Sequence, residues 1–149
     1  MRKMRTVLLA ACLGLAGSAT PADALLSATG NVIAILAGDL YVGEAVGHLS
    51  GAGTLVIHSQ KDPALTCRGQ FTSSAELGGL GQMQCSDGAT ATFSFKRLNI
   101  FRGYGVGSFS RGAMNFTYGL SAEEAGPYLT LPEGKQLRQS GTELTLVDL

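Results

Sequence analysis

The chain has no tryptophan, only two histidines, three cysteines and four prolines, and its 11 Lys+Arg are matched by 11 Asp+Glu. That charge balance excludes the basic surface that phosphate neutralisation demands, so nucleic acid is not an expected partner. With so few imidazoles, any metal or general-base chemistry that needs one is confined to His48 and His58. No Gly-Lys-Ser/Thr is present, and Gly103-Tyr104-Gly105-Val106-Gly107 has no helical pattern behind it, which removes phosphate binding at a helix N-terminus. No apolar run approaches the ~20 residues of a spanning helix. Glycine, by contrast, is plentiful at 21 of 149, without a collagen period, and 45% of residues are hydrophobic, enough for the core of a single domain.

Residues 1–24 read as an export signal. Arg2, Lys3 and Arg5 precede the apolar run Val7 to Ala16, and Ala22-Asp23-Ala24 places small residues at −3 and −1 of a signal-peptidase site. Leu9-Ala10-Ala11-Cys12 also spells a lipobox, so the alternative is a lipid-anchored envelope protein carried on Cys12. Loss of the leader removes Arg2, Lys3, Arg5 and Asp23 and leaves 8 basic against 10 acidic side chains in residues 25–149, which form a single all-β domain. The expected location is periplasmic or secreted. In such an oxidising compartment Cys67 and Cys85, 18 residues apart, are expected to close a disulfide. A redox pair or half a metal site is the competing reading, but neither cysteine lies in a C-x-x-C motif and no histidine stands at ligand spacing.

Apolar residues recur with period two. Cys67, Gly69 and Phe71 alternate with Arg68, Gln70 and Thr72, and Ala91, Phe93 and Phe95 with Thr92, Ser94 and Lys96. A two-residue Asp87-Gly88 turn would set Met83 and Cys85 against threonines. A three-residue Ser86-Asp87-Gly88 loop with Gly88 left-handed instead pairs Cys85 with Ala89, Met83 with Ala91 and Gly81 with Phe93. Placing Cys67 opposite Cys85 then sets Gly69 against Met83 and Phe71 against Gly81, all on one buried face.

One grammar occurs three times: Gly51-Ala52-Gly53, Gly79-Leu80-Gly81 and Gly103-Tyr104-Gly105 each open a strand, a turn follows, and a second strand ends near an aromatic residue. Tyr41-Val42-Gly43-Glu44 before Gly51-x-Gly53, and Cys67-Arg68-Gly69-Gln70-Phe71 before Gly79-x-Gly81 and Asp87-Gly88, resemble degenerate MORN-type repeats. The likeness covers about residues 38–95 and extends to small exported bacterial proteins with the same Gly-x-Gly and Cys-Ser-Asp-Gly phrases. It implies a single-layered or rolled β-meander that binds or scaffolds rather than catalyses.

From Ser121 the pattern changes. Ser121-Ala122-Glu123-Glu124 is a capping box that predicts a short helix near Ser121–Ala125, cut off by Gly126 and Pro127, and a last strand is expected from Thr142 to Val147. Glu123 and Glu124 are not read as an acid/base pair, since adjacent helical carboxylates point apart.

Candidate sites are few. Asp39, Glu44 and Asp62 could join His48 and His58 in a metal or acid/base site, and Ser50 stands beside His48, although the ten-residue gap between histidines matches no ligand motif. Arg97, Phe101, Arg102, Tyr104 and Arg111, with Phe109, form the richest cation and aromatic cluster, suited to a lipid headgroup, a glycan or a partner protein. The segment Ser73–Leu80 is a candidate protruding loop for insertion into a target cleft.

The resulting expectation is an all-β antiparallel meander, roll or small barrel of about seven to nine short strands. It would act as a non-enzymatic, cofactor-free envelope module presenting a sheet face or edge. The alternative is a small periplasmic hydrolase or metal-binding protein using His48 and His58.

Overall fold

A computed structural model describes residues 27–74 and 77–149. The leader, its cleavage site and Cys12 lie outside the described residues. Eight strands run up and down around a closed barrel: β1 (Ser27–Leu36), β2 (Asp39–His48), β3 (Ala52–Ser59), β4 (Thr66–Ser74), β5 (Gly78–Cys85), β6 (Thr90–Asn99), β7 (Arg102–Phe109) and β8 (Gly112–Tyr118). Each pairs antiparallel with the next, and β1 closes the circle by pairing Val32–Leu36 with Met114–Tyr118 of β8. Closure satisfies the sheet edge that the sequence left open as a presenting surface.

The register around the disulfide follows the alternation in the sequence. Cys67 opposes Cys85, Gly69 opposes Met83 and Phe71 opposes Gly81, while Met83 opposes Ala91 and Gly81 opposes Phe93. Cys85 N donates to Ala89 O at 2.8 Å, and Gly88 has φ of 88°, the left-handed residue the three-residue loop requires. Cys67 and Cys85 are bonded and buried at one end of the barrel, its base.

The base is also laced sideways between turns. Thr66 N donates to Ser86 Oγ and Thr90 N to Ser110 Oγ, at 3.1 and 2.8 Å, while Ser86 N and Ser110 N donate back to the carbonyls of the same threonines. Across the base, Arg111 pairs with Asp87 at 2.7 Å and lies over the Phe109 ring, 4.8 Å from its centroid. Arg111 also reaches the buried Tyr41 hydroxyl, whose pKa burial raises and that cation draws back down.

The barrel wall is apolar inside and mostly polar outside, with Leu80 and Val106 as exposed apolar exceptions. On β4 to β6 the outward residues are Arg68, Gln70, Thr72, Gln82, Gln84, Thr92, Ser94 and Lys96 among others, all exposed. This is the reverse of the apolar outer belt of about 25 Å that a membrane-spanning barrel carries. Among the described residues no helix is long and apolar enough to cross a membrane.

β1 departs from alternation because Val32 to Leu36 are buried on both faces. Its inner side chains, Val32, Ala34 and Leu36, join the lumen. Its outer ones, Ile33 and Ile35, with Leu40 of β2, are covered by Leu120, Ala125 and Leu144. That cover is the C-terminal segment: helix α1 (Ala122–Ala125), a 3-10 turn (Gly126–Tyr128) and a separate hairpin of β9 (Lys135–Ser140) and β10 (Glu143–Asp148). The capping box forms as expected, with Glu124 N on Ser121 Oγ at 3.2 Å and Ser121 N on Glu124 Oε2 at 2.9 Å.

Candidate functional site: the open end of the barrel

Inward positions on successive strands alternate between glycine and aromatic rings, and this decides the shape of the lumen. Phe71 lies against Gly53, Phe93 against Gly81, Phe95 against Gly79, Phe116 against Gly105 and Tyr118 against Gly103; a Cβ at any of these glycines would fall on the facing ring. Each ring therefore lies flat on a neighbouring strand instead of crossing the barrel, the aromatic cover of sheet glycines used in barrel design. The rings meet edge to face: Phe71–Phe95 at 5.6 Å, Phe95–Tyr118 at 5.7 Å and Phe93–Phe116 at 5.3 Å between centroids.

With the rings held to the wall, a cavity of about 280 Å³ remains, lined chiefly by Val32, Ala45, Leu55, Phe71, Phe95 and Phe116. It is closed towards the disulfide and open at the other end, where Ser27, His48, Arg97, Phe101 and Tyr118 stand. Compared with the ~150 Å³ void that accepts benzene, it has room for roughly ten to twelve non-hydrogen atoms. That places it at the small end of ligand sites, which run from about 300 Å³ upward.

The mouth combines two kinds of group. Three hairpin turns raise large apolar side chains around it: Leu49, Leu77, and the group Leu98, Ile100 and Phe101, with Leu77 83% exposed. Just inside stand two polar groups, Arg97 and Tyr118. Arg97 Nη2 donates to Ser73 Oγ at 2.5 Å and Nη1 to Ile100 O at 3.2 Å, so the guanidinium ties β4 to the β6–β7 turn. Its Nε and the Tyr118 hydroxyl are buried and make no hydrogen bond to the described residues. Burial raises the Tyr118 pKa, and the Arg97 charge pulls it the other way.

The structure divides the residues that the sequence grouped. Arg97 and Phe101 share the mouth. Arg102 lies outside, 3.6 Å from Glu124; Tyr104 stacks on Tyr128 at 4.8 Å on the outer wall; Arg111 is at the base. His48 ends β2 at the mouth, whereas His58 opposes Val42 and shares a 3.0 Å hydrogen bond with Thr66 Oγ1. Val42 and His48 are six residue steps apart on β2, about 20 Å along the strand, too far for one ion with bonds of about 2 Å to bridge the two imidazoles. No group of three or more metal-ligating side chains occurs among the described residues. Of the segment Ser73–Leu80, Ser73 and Ser74 belong to β4 and Gly78 to Leu80 to β5.

Tyr118 and the inward setting of Arg97 were accessible to the same alternation that gave the strands. Arg97 is the next same-face residue after Ala91, Phe93 and Phe95, and Tyr118 follows Met114 and Phe116. A cation that continues a greasy register is the signal of a polar group at a lumen mouth. No protein-family model, curated protein or solved structure matches this chain.

Proposed function

We propose that this chain is an exported, envelope-associated binding protein whose barrel takes one small, largely apolar molecule in through its open end. The observation that carries this reading is the lumen itself. Glycines opposite aromatic rings keep an eight-stranded barrel hollow at one end, where ordinary side chains would fill it. The exposed apolar rim extends the lumen lining outward, as at surfaces that receive hydrophobic partners. Export rests on the cationic and apolar leader and its Ala-x-Ala site.

Octan-1-ol is a suitable neutral probe of about the right size. At roughly 0.5–0.7 kcal/mol per non-hydrogen atom, nine atoms give about 4.5–6.3 kcal/mol, or a Kd of roughly 20–500 µM by titration calorimetry. Ala45→Phe places a ring in the lumen and is expected to weaken binding more than tenfold while the far-UV circular dichroism spectrum is preserved. Absence of binding to the wild type, or equal binding to a folded A45F variant, rejects the lumen as the site. Mass spectrometry of the N-terminal peptide of the exported protein supports the leader if it starts at Leu25, and supports the lipid anchor instead if it starts at a lipid-modified Cys12.

A further inference from the structure

Resting on the lumen reading, we propose that the ligand is a single-chain monocarboxylate of about eight to ten carbons, its tail in the lumen and its carboxylate held between Arg97 Nε and the Tyr118 hydroxyl. The two groups belong to one row of the barrel. Arg97 of β6 opposes Gly103 of β7, and Gly103 opposes Tyr118 of β8. The residue between them has no side chain, and two interstrand steps put their backbones about 10 Å apart. The Tyr118 ring reaches from β8 over Gly103, while Arg97 stands at the other end of the row and extends on to Ser73 of β4.

Polar side-chain atoms buried in a protein are nearly always hydrogen-bonded, and here two orphans stand in the same row at the opening of one cavity. Both are donors. Nη1 and Nη2 already donate to Ile100 O and Ser73 Oγ, whereas Nε donates to none of the described residues. Four ion pairs form among the described residues, and none includes Arg97, so the guanidinium has no carboxylate partner there. Burial keeps the Tyr118 phenol protonated against the pull of that cation, so its hydroxyl can donate. One positive charge with two unpaired donors in one row of the cavity wall matches the charge and the two oxygens of a carboxylate. A phosphate monoester brings close to a second negative charge, which the single guanidinium of the row does not balance. The volume of about 280 Å³ accommodates one short chain and excludes two-chain lipids.

The test is calorimetry on the mature chain with octanoate, octan-1-ol and octyl phosphate, against wild type, Arg97→Met and Tyr118→Phe. Octanoate is expected to bind the wild type at least about tenfold more tightly than octan-1-ol, with octyl phosphate no tighter than octanoate. Arg97→Met should erase that preference and leave octan-1-ol within about threefold, and Tyr118→Phe, which retains the ring packing, should cost octanoate about five- to tenfold. If Arg97→Met does not fold, Tyr118→Phe alone decides. Equal wild-type affinity for octanoate and octan-1-ol overturns the carboxylate assignment and leaves the lumen reading standing. A preference for octyl phosphate, or equal losses for acid and alcohol in both variants, overturns it as well. Failure of both octanoate and octan-1-ol to bind overturns both proposals.

Discussion

Replacing Gly81 by alanine tests whether the glycines hold the rings against the wall. Gly81 does not have a positive φ, so alanine brings no backbone strain; its new Cβ falls on the Phe93 ring and 2.7 Å from the Gln70 carbonyl oxygen. Two effects oppose each other. Losing glycine stiffens the unfolded chain and favours folding by about 0.4–1 kcal/mol. Forcing a methyl group into a packed ring and an adjacent strand costs about 1–3 kcal/mol. The second wins, for a net loss of about 1–2 kcal/mol, or roughly 0.5–1 M in the urea midpoint at a slope of ~2 kcal/mol/M. Phe93→Leu should lose about 1–2 kcal/mol on its own, yet the double variant should lose at least about 1 kcal/mol less than the two separate losses together, because the leucine vacates the space the methyl needs. Gly47→Ala is the internal control, since its nearest neighbour is the Phe71 ring at 3.9 Å; it should be neutral or stabilising by up to about 1 kcal/mol. Urea titration by circular dichroism under oxidising conditions reads all four variants. Strict additivity of G81A and F93L, or a G81A midpoint at or above wild type, would refute this account of the wall.

Opening the Cys67–Cys85 bridge, by reduction or with paired serines, releases a loop of 18 residues and should cost about 3 kcal/mol in the same titration; a loss below about 1 kcal/mol would contradict the entropic argument. Ala37 takes φ of 49° beside Gly38 at 85° in the two-residue β1–β2 turn, so Ala37→Gly or Ala37→Asn should raise the thermal midpoint, by about 1 kcal/mol in stability, and a fall would argue against a type I′ turn. The Ala89 amide and then the Arg111 guanidinium hold the Asp87 carboxyl below its ordinary value of 3.8. Its contribution is therefore complete above about pH 5 and is lost as the pH falls through the lower folded value. The urea-midpoint gap between wild type and Asp87→Asn should accordingly narrow between about pH 5 and pH 2, and a gap constant over that range would contradict the assignment.

The parts of the fold legible in the sequence are those with a local signature. Alternation on either side of Ser86-Asp87-Gly88 carried enough information to specify the β4–β5–β6 register residue by residue, because a one-residue slip would have turned cysteine and methionine towards water. The capping box at Ser121 was equally local. Closure was not, since Val32–Leu36 meet Met114–Tyr118 across about 80 residues and no short-range pattern encodes such a pairing. The run Val32-Ile33-Ala34-Ile35-Leu36 did carry a trace of it: a strand apolar at every position is buried on both sides, here by the lumen and by the C-terminal hairpin. The lumen was hidden for a subtler reason. Glycines at inward positions read as bends, and only the cross-strand register shows that each one seats a ring from its neighbour.

A sulfur staple at one end and none at the other divides each strand into halves of unequal stiffness. The base, bolted by the bridge and laced through Ser86 and Ser110, cannot spread without breaking covalent or hydrogen bonds. The far end has no covalent tie: it is held by rings edged together, by the hydrogen bonds of Arg97 and Ser73, and by β1, whose Ser27–Asn31 stretch runs past the last of its partners on β8. Any breathing of the cylinder is thereby concentrated where a guest would enter, so tolerance for guest width is set by the seam between the first and last staves, and depth by the fixed floor.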